Sequence, residues 1–339
     1  MRTHTLILSA VLLASGVVGT QAQSYHVTHT YTLGGDGGWD YLSLDTVGHR
    51  LFVARSDRVM VLNPATGKLL AEIPGLNRAH GIAFDYADGK GFATSGGDSS
   101  VVIFDLKTLQ VTGRTIAAPD ADAVLFDPAT KRIFTFNGDS RSSSVIDAAS
   151  GKKIGTIDLG GGPEFGVSAG DGKLYVNLED SSAIDEIDAA AMKVVRRWPL
   201  APCQSPSGLA IDREHHRLFS GCHNQVMAIS DAQAGKVVAT VPIGQGVDAN
   251  RFDPGTQLAF ASTGDGNITV VHEDAPDKYT VVANVATKRG ARTMEVDLAS
   301  HIMYTVSADF GPMPAPTADR PRPRPPILPG TFALLVLER

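Results

Sequence analysis

The sequence predicts an all-β chain, a seven-bladed β-propeller of four-stranded blades, on three observations. Glycine is frequent, 35 of 339 residues, alongside 19 prolines, and this punctuates the chain too often for long helices. A phrase of short apolar run, Asp, polar turn and second apolar run recurs seven times. Each period holds four β-rich runs, which is the arithmetic of a propeller blade.

The chain starts with a basic tetrapeptide, an apolar run over residues 6–18, and Thr20-Gln21-Ala22 at a possible cleavage point. That layout reads as a secretory signal peptide over residues 1–22, so the remainder is expected in the periplasm or outside the cell. The apolar run is shorter than the ~20 residues of a membrane span, and no later segment is long and apolar enough.

Residues 23–339 are then expected to form a single propeller. The first phrase is YLSLDTVGHRLFVA from Tyr41, and it returns from Gly81, Ala123, Gly208, Ala249 and Thr293, with a shortened copy from Phe165. Its anchors are Asp45, Asp85, Asp127, Ala169, Asp212, Asp253 and Asp297. These anchors sit in the turn after each first strand and are read as turn chemistry. A second phrase, such as DAASGK from Asp147, keeps the same beat between the third and fourth runs. In the third period the four runs fall at residues 123–126, 133–136, 144–146 and 153–157. The last period lacks a fourth run after residues 332–337. Residues 25–33 (YHVTHTYTL) are strand-like and unassigned, so they are expected to complete the last blade and close the ring.

These phrases resemble the YVTN-type seven-bladed β-propeller family of exported, YncE-like proteins over residues 25–339. The resemblance implies the fold and a binding role, with DNA binding as one precedent, and it supplies no catalytic residues. A proline-rich insertion at residues 311–330, containing Arg320, Arg322 and Arg324, departs from that pattern. Proline at that density cannot continue a ladder, so the segment is a loop, either a solvated flap or a partner-binding element.

Function in a propeller tends to lie where the innermost strands converge. The residues just before each first strand are Asp40, His80, Asp122, Glu164, Ser207, Asp248 and Arg292, and they are expected to ring the channel mouth. Carboxylates there suit a polar ligand or a divalent cation, Ca²⁺ or Mg²⁺; the alternative is solvated lining. No cofactor is predicted. On the same face Lys288, Arg289, Arg292, Arg320, Arg322, Arg324, Arg55 and Arg58 should form a basic sector opposite an acidic one.

Zinc is not expected. HExxH and CxxC are absent, and His215-His216 lies in a turn on the face away from the ring. GxGxxG with a helix, a P-loop and CxxCH are also absent. Cys203 and Cys222 belong to one face of one blade and, in an exported chain, should pair. The net charge of −6 disfavours coating nucleic acid by bulk charge. The expected function is therefore a non-catalytic binding or scaffold protein, monomeric and without a transmembrane segment, that takes a polar small molecule or an unknown protein at the channel mouth. One alternative is a metal-dependent hydrolase or lactonase using Glu164, Asp122 and Asp248 around a divalent cation. The other is a nucleic-acid-binding propeller.

Overall fold

A computed structural model describes residues 25–317 and 323–339. The expected signal peptide, Arg320 and Arg322 lie outside the described residues. Seven four-stranded antiparallel sheets follow one another as blades, and in the first six the strands run from innermost to outermost in chain order. Blade three, for example, consists of Ala121–Asp127, Arg132–Asn137, Ser142–Asp147 and Lys152–Asp158. Every run expected in that period is present, one to two residues longer at each end.

The ring closes as the period count requires. His26–Thr32 pairs antiparallel with Ala333–Glu338, from His26 opposite Glu338 to Thr32 opposite Ala333. Blade seven thus takes its three inner strands from one end of the sequence and its outer strand from the other. The proline-rich loop joins the second and third strands of that blade. Its base is tied by Gly311 N–H to the Pro326 carbonyl and Leu328 N–H to the Asp309 carbonyl, both 2.8 Å.

Burial follows from each strand's place in the wheel. Second strands have both faces covered by neighbouring blades, so Leu51, Phe52 and Val53 are all fully buried. Outer strands alternate, as in Leu69–Pro74, where Ile73 is buried and Leu69 and Leu70 are exposed. Hydrophobic clusters fill the seven blade–blade interfaces. The one between blades seven and one joins Trp39, Leu51 and Met60 to Tyr304, Phe332 and Leu334. Truncating a fully buried ring such as Phe134 to Ala would cost about 3–5 kcal/mol.

Buried anchors hold the turns on the far face. Asp45 Oδ1 accepts from the Gly48 N–H at 2.8 Å, and its Oδ2 accepts from Arg50 Nε at 2.9 Å. Near the channel the inner strands approach closely. A Cβ on Gly208 would lie 2.5 Å from the Asn250 nitrogen of the next blade, so only glycine fits there. Cys203 and Cys222 form a disulfide with Cα atoms 5.5 Å apart, packed beside Trp198 and Leu200 of blade four.

Candidate functional site

The seven ring positions do converge, and a local irregularity aims them. In blades two to six the ladder between the first two strands shifts register at the ring residue. The shifts fall between Ala79 and Ile82, Ala121 and Val124, Pro163 and Gly166, Pro206 and Leu209, and Val247 and Ala249. These intervals contain His80, Asp122, Glu164, Ser207 and Asp248. A bulge bends the strand and redirects a side chain, here toward the mouth. Asp40 and Arg292 lie just ahead of the short inner strands Leu42–Asp45 and Met294–Val296.

Neighbouring blades hold the bulged backbone. Asn177 Nδ2 on blade four donates to the Ser207 carbonyl of blade five at 2.9 Å. Thr94 Oγ1 donates likewise to the Asp122 carbonyl, and Ser262 Oγ to the Arg292 carbonyl. Asp122, Ser207 and Arg292 are therefore held by the preceding blade as well as by their own.

Six of the seven neighbouring pairs are in contact. His80 Nδ1 bonds Asp40 Oδ2 and lies 3.3 Å from Asp122 Oδ1. Ser207 Oγ lies 3.3 Å from Glu164 Oε1 and 3.2 Å from Asp248 Oδ1. Arg292 Nε meets Asp248 Oδ2 at 2.5 Å, and its Nη2 reaches Asp40 Oδ1 at 3.6 Å. The break falls between Asp122 and Glu164. His80 Nε2 and Asp122 Oδ1 are buried without a hydrogen-bond partner.

Four carboxylates share this ring with a single guanidinium. Burial, reinforced by Asp248, Glu179 and Asp40, pushes Glu164 up to about 8. Burial and the Asp40 and Glu164 charges raise Asp122 well above the carboxylate range. Asp248 is raised by burial although Arg292 pulls it down. Tyr41 crosses toward blade four and packs on Phe165 at 5.3 Å between ring centroids. Its hydroxyl is raised by burial and then by the charges of all four ring carboxylates.

The basic sector is smaller than the sequence predicts. Arg55 is fully buried, its guanidinium 3.6 Å from the Phe332 ring centroid, because the aromatic core of the closing interface extends beneath it. Arg58 is held by Asp57 and Glu72 at 2.6 and 2.8 Å, and Lys288 by Asp309 at 2.9 Å. Arg292 is engaged by Asp248, and with Arg289 and Arg324 it lines a cavity of about 490 Å³ that includes Trp39, Phe310 and Ile327. On the acidic side Arg78 pairs with Asp120 and Arg141 with Asp180, at 3.2 and 2.9 Å.

The expected metal trio of Glu164, Asp122 and Asp248 is not the group brought to chelating distance. Asp248 is engaged by Arg292, and Asp40, His80 and Asp122 instead offer ligand atoms within 4.8 Å of one another. A second such group, Asp212, His215 and Glu273, lies on the opposite face. The sequence places His215 in a turn on the face away from the ring, where zinc is not expected; Glu273 arrives there from blade six, a contact between residues far apart in sequence.

Among known proteins, the chain is similar to YncE of Salmonella typhimurium and of Salmonella typhi, both uncharacterised. Each is 26% identical over 162 residues, 46% of this chain and 46% of the relative. The seven four-stranded blades make the chain a β-propeller, and that match makes it similar to YncE over 162 residues. It spans about half the length of the curated relatives it matches. No family model matches it. Among solved structures, this propeller superposes on a chain of Kuenenia stuttgartiensis hydrazine synthase with a TM-score of 0.70 at 15% identity, covering 78% of this chain and 91% of that one. A chain of the mitotic checkpoint complex gives 0.70 at 14%, covering 89% and 96%. Those likenesses establish the fold alone.

Proposed function

We propose that this YncE-like propeller is an exported, non-catalytic binding protein that takes a polar, anion-bearing ligand on the ring face. The observation that carries the reading is the cavity beside the ring. Arg289, Arg292 and Arg324 line it together with Trp39 and Phe310. Guanidinium groups pair with carboxylate or phosphate in a fork geometry, and aromatic walls add apolar contact. Arg292 links this cavity to the acidic ring through Asp248, so a ligand with both an anionic and a cationic group would find complementary charge on either side. The disulfide agrees with an oxidising compartment, and no helix among the described residues is long and apolar enough to cross a membrane.

The test is calorimetric titration with citrate, inorganic phosphate and a short single-stranded oligonucleotide at two salt concentrations. Saturable binding of at least one anion is expected, weakened about tenfold or more by Arg289→Ala with Arg324→Ala. Binding confined to the oligonucleotide, with a steep salt slope, would favour nucleic acid as the ligand class. No saturable binding, or binding indifferent to both arginines, would overturn the proposal.

A hydrolytic reading is favoured by one observation, the chelating geometry of Asp40, His80 and Asp122. Metal analysis of the purified protein, followed by lactone hydrolysis assays with and without chelator, separates it from simple binding.

A further inference from the structure

The turn between the two inner strands of blade five reads Asp212-Arg213-Glu214-His215-His216. Asp212 is buried like the other anchors, and its Oδ1 accepts from the Glu214 N–H at 2.9 Å. Its second oxygen is in an unusual position. In blade one the equivalent oxygen, Asp45 Oδ2, is neutralised by Arg50 opposite it in the ladder. Arg217 stands opposite Asp212, but its guanidinium turns away to the Pro276 carbonyl at 2.7 Å, to Asp277 at 2.9 Å and to Asp231 at 3.4 Å.

Asp212 Oδ2 instead faces His215 Nδ1 at 2.6 Å. Glu273, on the third strand of blade six (Asn267–Ala275), comes in from the neighbouring blade. Its Oε1 lies 3.5 Å from His215 Nδ1 and 3.4 Å from the Tyr279 hydroxyl. Its Oε2 has no hydrogen-bond partner, although the side chain is only 1% exposed. All three residues offer a ligand atom within 4.8 Å of one another.

A buried carboxylate with one oxygen unpartnered, set beside a second buried carboxylate, calls for a proton or a cation. The donor set is two carboxylates and one imidazole nitrogen. Imidazole suits Zn²⁺ and its neighbours, whereas Mg²⁺ and Ca²⁺ prefer oxygen alone. His215 is about one-third exposed, which leaves an approach from solvent and room for water to complete the coordination.

We infer that Asp212, His215 and Glu273 form a binding site for a divalent transition metal, Zn²⁺ or Mn²⁺, that straps blade five to blade six. The site is on the face opposite the ring and does not depend on the proposed ligand cavity.

The experiment uses the whole protein, stripped with EDTA, dialysed, and titrated with ZnCl₂, MnCl₂ and CaCl₂ by calorimetry at neutral pH. One Zn²⁺ or Mn²⁺ per chain is expected, with Ca²⁺ at least about tenfold weaker. Glu273→Gln and His215→Ala should each weaken binding about tenfold or more and remove the metal-dependent rise in melting temperature. His215 is partly exposed, so its variant stays informative if Glu273→Gln folds poorly. Absence of saturable binding, or binding that survives both substitutions, would overturn the inference.

Discussion

Arg292 Nε lies 2.5 Å from Asp248 Oδ2 across the boundary between blades six and seven, and its Nη2 is 3.6 Å from Asp40 Oδ1 of blade one. This one guanidinium therefore spans the point where the wheel closes and offsets two of the four ring carboxylates. Burial works against its charge, and Asp248 and Asp40 outweigh that to raise it.

Arg292→Met should leave Asp248 uncompensated. A loss of roughly 2 kcal/mol in urea unfolding is expected, less than the ~3–5 of a fully buried broken pair, because Arg292 is partly exposed. Adding Asp248→Asn should recover part of it. A single variant as stable as the parent would show that the ring tolerates an unpaired carboxylate.

Stability should fall as pH rises from about 5 to about 8. Glu164, raised to about 8, and Glu273, raised to about 7, hold protons in the folded state that the unfolded chain has released. The folded state then binds more protons, so the slope against pH is negative in that window. Asp122 and Asp248 are raised as well and act in the same direction. Melting temperatures across this range check the sign, and Glu164→Gln should flatten the slope.

The disulfide closes a short loop, its cysteines separated by 19 positions in the sequence. In the chain-entropy model it contributes about 3 kcal/mol. Cys203→Ala with Cys222→Ala should lower stability by up to that amount, and thiol titration of the unfolded, non-reduced parent should find no free thiol. A reactive thiol in that titration would contradict the pairing.

Deleting residues 25–33 should leave the strand Ala333–Glu338 with an open edge, since His26–Thr32 is its only outer neighbour. Exposed edges template association, so size-exclusion chromatography is expected to show aggregation. A monodisperse deletion variant with unchanged melting would mean that the third strand suffices at the rim.

The blades were legible because repetition multiplies a weak signal. A single strand–Asp–turn phrase says little, whereas a fixed spacing of such phrases counts blades and even identifies the missing strand. The ring was legible for the same reason, as one position per period. Its wiring was not. Nothing in the spacing marks the bulges at His80 or Ser207, the break between Asp122 and Glu164, or the packing of Tyr41 on Phe165. Arg55 reads as a surface cation by type, yet the Phe332 ring draws it inside. Glu273 meets His215 through the packing of two blades, and no local pattern encodes that contact.

The closing strand also sets an order of events. Thr28 Oγ1 donates to the Val336 carbonyl, 308 residues away along the chain. The first strand to leave the ribosome must therefore wait unpaired until nearly everything else has been made. Before then blades one to six can form from local hairpins, but the interface between blades seven and one stays open. Loop-closure entropy of that length is incurred in a single late step, so this step, rather than blade formation, should govern how long the nascent chain needs protection.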